Sequence, residues 1–113
     1  MRIYVAGALS SKEKTDRNPS KVVCDYIRNL SRMCRIAGSL RKAGHHPYVP
    51  GLDFLLGLTD GGFEEEDYRG IGMAFLEVCE AVLVTSKSWG VEKEIEKAKE
   101  LGIPVYYKME RLI

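Results

Sequence analysis

Glu94 is the residue of this sequence whose type and placement best suit chemistry. It closes the stretch Ser86-Lys87-Ser88-Trp89-Gly90-Val91-Glu92-Lys93-Glu94, which follows the apolar run Ala81-Val82-Leu83-Val84-Thr85. The run is short, β-branched and without alternation, the pattern of a buried parallel strand. Val91 to Leu101 reads as a helix, and at about 100° per residue Val91, Ile95, Ala98 and Gly102 share one side. Glu94 falls between Ala98 and Leu101, at the flank of that apolar arc. Glu92, Lys93, Glu96, Lys97, Lys99 and Glu100 all fall outside it. A first-turn carboxylate gains from the helix dipole, but that suits Glu92 equally well. It leaves the inward aim of Glu94 unexplained, and carboxylates aimed into clefts are enriched at functional sites. A strand feeding a Ser/Gly loop that opens a helix also turns backbone N–H groups toward a ligand. Ser86, Ser88, Trp89 and Gly90 are therefore candidate ligand-binding residues.

The elements that must position this stretch follow from the rest of the chain. Residues 2–7 read as a first strand, with Ile3, Val5 and Tyr4 inward, ended by Gly7 and a loop through Ala8 and Ser10. Residues 10–18 are polar and aperiodic. Asn18-Pro19 starts a helix, along which Val23, Ile27, Leu30, Cys34 and Ala37 recur, flanked by Val22, Tyr26, Met33 and Leu40. It ends at Gly44. This apolar face is wide enough for the sheet alone or for the sheet and a partner subunit. Residues 45–50 read as an edge strand between prolines, and 51–58 as a helical turn. Residues 63–79 read as a helix with Ile71, Ala74, Phe75, Val78 and Cys79 inward. Residues 102–107 form a last strand, and 108–113 a helical tail.

Strand and helix alternate throughout, which predicts an α/β domain spanning 1–113, with a parallel sheet of four strands and helices on both faces. In such sheets ligands sit beyond the carboxyl ends of the strands, where strand order reverses. For an order 2-1-3-4 that crevice lies between the first and third strands. The loops Gly7–Ser11 and Ser86–Gly90 then meet there with Glu94.

Composition narrows the function classes. The 113 residues are 45% hydrophobic and 29% charged, with a net charge of +1, ordinary for a globular domain. Lys and Arg are dispersed without interleaved aromatics, so nucleic acid is not an expected partner. No run approaches a membrane span, and the start of the chain is too strand-like for a signal peptide. The expected location is the cytoplasm. Cys24, Cys34 and Cys79 fall on or near apolar helix positions and read as buried free thiols. His45 and His46 on a strand point to opposite faces and have no Cys or His nearby, so no metal site is expected, and no cofactor.

Ile3-Tyr4-Val5-Ala6-Gly7, Cys79-Glu80-Ala81-Val82-Leu83-Val84, Ser88-x-Gly90-x-x-x-Glu94 and Leu101-Gly102-Ile103-Pro104-Val105 occur in order along nearly the whole chain. Together they resemble the nucleoside 2-deoxyribosyltransferase superfamily, which includes deoxynucleoside monophosphate N-glycosidases. The resemblance implies a flavodoxin-like, Rossmann-like three-layer fold, a homo-oligomer, and a nucleoside or nucleotide as the small-molecule ligand. It implies that Glu94 attacks the anomeric carbon, that Tyr4 holds the nucleophile, and that Ser88 and Gly90 contact the sugar or its phosphate. The sequence departs from the pattern at Gly72, where members of the superfamily usually carry an aspartate that engages the base. Asp67 could stand in only if the helix starts late or is displaced. Ala8 and Ser10 occupy first-loop positions that bring a serine and an arginine to the phosphate in the monophosphate glycosidases. Lys12, Lys14 or Arg17 could supply that charge. Three readings follow: a glycosyl-transferring or hydrolysing enzyme, a nucleotide-binding module without turnover, and a ligand-free interaction domain.

Overall fold

The computed structural model of the protein describes residues 1–9 and 18–113. The elements are β1 (Arg2–Ala6), α1 (Pro19–Lys42), β2 (His46–Tyr48), a 3-10 turn (Pro50–Asp53) running into α2 (Phe54–Asp60), α3 (Glu65–Leu76), β3 (Ala81–Val84), α4 (Trp89–Glu100), β4 (Val105–Tyr106) and a closing 3-10 turn (Met109–Arg111). The sheet is parallel throughout, in the order β2-β1-β3-β4. Chain order reverses between β1 and β3, which places the crevice there.

Alternation along the strands divides the core into two apolar layers. Ile3, Val5, Ala81 and Leu83 face α1, where Met33 and Leu40 meet them. Tyr4, Ala6, Val82 and Val84 face α3 and α4, where Leu76, Val91, Ile95 and Ala98 meet them. This is the three-layer, flavodoxin-like arrangement, and it puts Tyr4 on the same side of the sheet as α4. Each fully buried aliphatic side chain contributes about 1.5–3 kcal/mol of transfer free energy.

Local chemistry sets the helix ends. Asn18 Oδ1 accepts the Ser20 N–H at 3.0 Å with Pro19 in the first turn, and Gly44 leaves α1 at φ +93°, a conformation glycine takes without steric cost. The first half of α1 extends past the cover of the sheet. Val23 and Ile27 are more than half exposed there, and Cys24, expected to be buried, is exposed as well. The expectation for α3 also needs correction. Gly72, Leu76 and the following Cys79 are the buried positions, whereas Ala74, Phe75 and Val78 are exposed. The most apolar arc of the sequence is not the inward one, because Gly72 belongs to the inward face and has no side chain to announce it. Phe75 instead stacks on Tyr48 with ring centroids 5.0 Å apart. The His45 ring lies between the amino terminus at 3.1 Å and the Leu112 carbonyl at 2.6 Å, and His46 is exposed. Among the described residues no helix is long and apolar enough to cross a membrane.

The phase of α3 is open to a direct check by urea denaturation. Leu76→Ala is expected to cost about 2–5 kcal/mol, as for a fully buried leucine. Val78→Ala, in the turn that follows, is expected to stay within about 0.5 kcal/mol; the reverse order would put the wrong face of the segment 65–79 on the sheet.

Candidate active site

The carboxyl ends of β1 and β3 are tied together before any ligand-facing group is placed. The Thr85 N–H and hydroxyl both donate to the Ala6 carbonyl, at 2.8 and 3.0 Å, and the Ala8 N–H donates to Ser86 Oγ at 2.9 Å. Gly7 lies inside this seam. A Cβ there would fall 2.5 Å from Met33 Sδ and also against Thr85 Oγ1, so the close approach requires glycine. From the seam the chain enters α4 through Ser88, whose hydroxyl accepts the Val91 N–H at 3.2 Å as an N-cap.

This cap makes Trp89 the first helical residue and Gly90 the second, so Glu94 lies beyond the first turn. The helix dipole, which acts over the terminal turn, is then no explanation for its placement. Glu94 is directed at the sheet. Its Oε2 is buried with no hydrogen-bond partner among the described residues, and interaction with the Tyr4 hydroxyl pulls its pKa down. Burial is the larger effect and pushes Glu94 up to about 7. Burial and the adjacent carboxylate together hold the Tyr4 hydroxyl protonated. Behind this pair the Tyr48 hydroxyl donates to Asp53 Oδ2, and the Tyr48 ring packs on Tyr4 at 5.6 Å.

Tyr4 and Glu94 open onto a cleft of about 590 Å³, a size suited to a small-molecule ligand. One wall is aromatic: Tyr26 from α1, Phe54 from α2 and Tyr68 from α3, with neighbouring ring centroids 4.9 and 6.4 Å apart. The α3 wall also presents Glu65, Arg69, Gly72 and Met73, and Gly7, Gly51 and Gly90 expose backbone to the interior. Gly72 abuts the acid pair, since a Cβ there would lie 3.0 Å from the Tyr4 hydroxyl. At the rim the Arg69 guanidinium contacts Glu65 at 2.9 Å and covers the Trp89 ring at 4.9 Å.

The structure thus gathers four of the expected site residues, Glu94, Tyr4, Gly7 and Gly90, on one cleft. Others serve different ends. Ser86 joins the two loops, Ala8 contributes a backbone donor to that joint, and Ser88 caps α4. Trp89 is largely exposed and stacks under Arg69 and Lys93 outside the cleft lining. Asp67 is exposed, and its carboxylate accepts the Glu64 N–H at 2.7 Å to cap α3. The helix starts at Glu65, too early to bring Asp67 to the cleft. Ser10, Lys12, Lys14 and Arg17 lie outside the described residues. The aromatic wall and the Glu65–Arg69 pair are additions that sequence reasoning missed. The signal was present in the spacing, because positions 65, 69 and 72 repeat at helical steps and share one face.

The raised pKa of Glu94 makes stability depend on pH with a definite sign. The folded state holds this proton more tightly than the unfolded chain, so the associated stability is fully present below about pH 4.5 and is lost as pH rises through about 7. At about 1.4 kcal/mol per pKa unit the loss is on the order of 3 kcal/mol. Glu94→Gln is therefore expected to melt above the parent protein at pH 8, with the gap closing toward pH 5. A gap independent of pH would show that Glu94 ionises as an ordinary solvated carboxylate.

Comparison with known proteins adds a family to this geometry. No curated protein and no solved structure matches the chain. One family model matches residues 19–108, a span that holds Arg69, Gly72, Gly90 and Glu94 and begins after β1 and Tyr4. The chain belongs to the family described as domain of unknown function DUF7768.

Proposed function

We propose that this protein cleaves or transfers the N-glycosidic bond of a deoxynucleoside or its monophosphate, with Glu94 as the nucleophile. The observation that carries the reading is the Glu94 carboxyl group, withdrawn from water on the wall of an aromatic-lined cleft with one oxygen unpartnered. The resemblance of the strand-end and Ser88-x-Gly90-x-x-x-Glu94 motifs to the nucleoside 2-deoxyribosyltransferase superfamily supports it.

In the first step a Glu94 oxygen forms a bond to the anomeric carbon while the bond to the base nitrogen breaks. The electron pair leaves with the base, which takes a proton from solvent. In the second step water, or a ring nitrogen of another base, attacks the same carbon as its bond to the Glu94 oxygen breaks, which restores the carboxylate, and the attacking group gives its proton to solvent. A carboxylate poorly solvated by water is a stronger nucleophile and needs less desolvation as the ligand enters. Tyr4 keeps the group oriented and its pKa within reach of neutral pH, so the ionised, attacking form grows as pH rises through about 7.

A second reading is favoured by Gly72. The position beside the Tyr4 hydroxyl carries no acid to engage a departing base, which suits a nucleotide-binding module without turnover.

Chromatographic assay of free base released from a panel of deoxynucleosides and their 5′-monophosphates separates the two. Release is expected from at least one member, rising with pH through about 7 and falling at least about a thousandfold in Glu94→Gln. Tyr4→Phe is expected to slow release about tenfold, the value of one hydrogen bond to a charged group, and to move the pH profile upward. Ligand-induced melting shifts without base release would leave the binding module; neither shifts nor release would sink both.

A further inference from the structure

The cleft contains more polar side chains than a nucleophile and its partner require, and most of them are already engaged. The Tyr26 hydroxyl donates to the Gly51 carbonyl at 3.5 Å. The Tyr68 hydroxyl packs against the Gly57 backbone, in the space a side chain at 57 would need. Tyr4 faces Glu94. The charged side chains that remain on the lining are Glu65 and Arg69. Their mutual contact is an i,i+4 pair in which the Glu65 side chain is 85% exposed, so Glu65 takes one of five guanidinium N–H donors and holds it weakly.

The position of Arg69 along α3 gives it a role. Gly72 marks the level of the acid pair, because a Cβ there would lie 3.0 Å from the Tyr4 hydroxyl. Arg69 precedes Gly72 by three residues, about 4.5 Å along the axis at the helical rise, and Glu65 lies about 10.5 Å along it. A flat ring attached to a carbon at Glu94 would pass Gly72, where no side chain blocks it. It would lie against the aromatic wall and reach the guanidinium with its edge. Trp89 beneath the guanidinium and Glu65 at one end restrict its orientation.

We infer that Arg69 is the residue that reads the base, and that it selects a 6-oxopurine, guanine or hypoxanthine. This rests on the glycosyl-transfer reading of the site for where the ring is attached. A guanidinium fork matches two neighbouring acceptors, and O6 with N7 of an oxopurine supplies them. Adenine places an amino donor beside N7 and meets the same fork with only one acceptor. Selection by Arg69 also accounts for an empty position 72: the base is held from one turn farther along α3.

The test is calorimetric binding of deoxyguanosine, deoxyinosine, deoxyadenosine and their 5′-monophosphates to the Glu94→Gln protein, alone and combined with Arg69→Ala or Arg69→Gln. The oxopurine compounds are expected to bind about tenfold or more tightly than the adenine ones. Arg69→Ala is expected to erase that preference, and Arg69→Gln to turn it toward adenine, whose N6 and N7 a carboxamide matches. A preference that survives both substitutions, or a loss confined to the monophosphates, would overturn the assignment, the latter marking Arg69 as a phosphate contact. An Arg69-dependent preference in a protein whose parent releases no base would overturn the turnover reading and leave this one standing. Failure of every compound to bind would overturn both.

Discussion

Keeping one carboxyl group out of water beside a tyrosine hydroxyl is the constraint around which the cleft is arranged. Desolvation disfavours the charged form of Glu94, and the Tyr4 hydroxyl offsets only part of that cost. A helix surface offers many cheaper places for a glutamate. Glu92, two residues closer to the amino end of α4, gains from the dipole while staying in solvent. Glu94 is instead paired with the second residue after the start of β1, across a layer otherwise filled by Val82, Val84, Val91 and Ile95. An unpartnered carboxyl oxygen in such surroundings destabilises the fold, and strain of this kind collects at functional sites.

The placement depends on sheet topology more than on the local sequence of α4. Reversal of chain order between β1 and β3 opens the crevice, and the Thr85–Ala6 and Ser86–Ala8 hydrogen bonds fix the two strand ends against each other. Strand alternation then decides that Tyr4, and not Ile3 or Val5, faces α4. Glycines admit the rest. Gly7 lets the β1 loop pass Met33, and Gly72 leaves the Tyr4 hydroxyl room on the α3 side. The aromatic wall comes from three different helices, so it forms only once α1, α2 and α3 have packed.

Much of this was legible in the chain itself. The unbroken apolar run at 81–84 and the alternating strand–helix pattern carry the parallel sheet, and the angular position of Glu94 carries its inward aim; the 2-1-3-4 order comes from the strand pairing. The failures have physical causes. Ser88 and Asp67 are polar residues near helix starts, and a sequence does not distinguish a side chain that satisfies backbone N–H groups from one that waits for a ligand. The phase of α3 was misread because a buried glycine adds nothing to an apolar pattern. Tyr26, Phe54 and Tyr68 are far apart in sequence and meet only in space. Arg69 and Glu65 share a helix face with Gly72, and only the position of Gly72 against Tyr4 gives that face a direction.

The central claim is the state of one side chain, and carbon-13 NMR of the Glu94 carboxyl carbon, assigned by comparison with Glu94→Gln, reads it directly. Titrated across neutral pH, this resonance is expected to move with a midpoint near 7, and in Tyr4→Phe to move at still higher pH. A midpoint near 4.5, unchanged by the loss of the Tyr4 hydroxyl, would place the carboxylate in solvent and contradict the account.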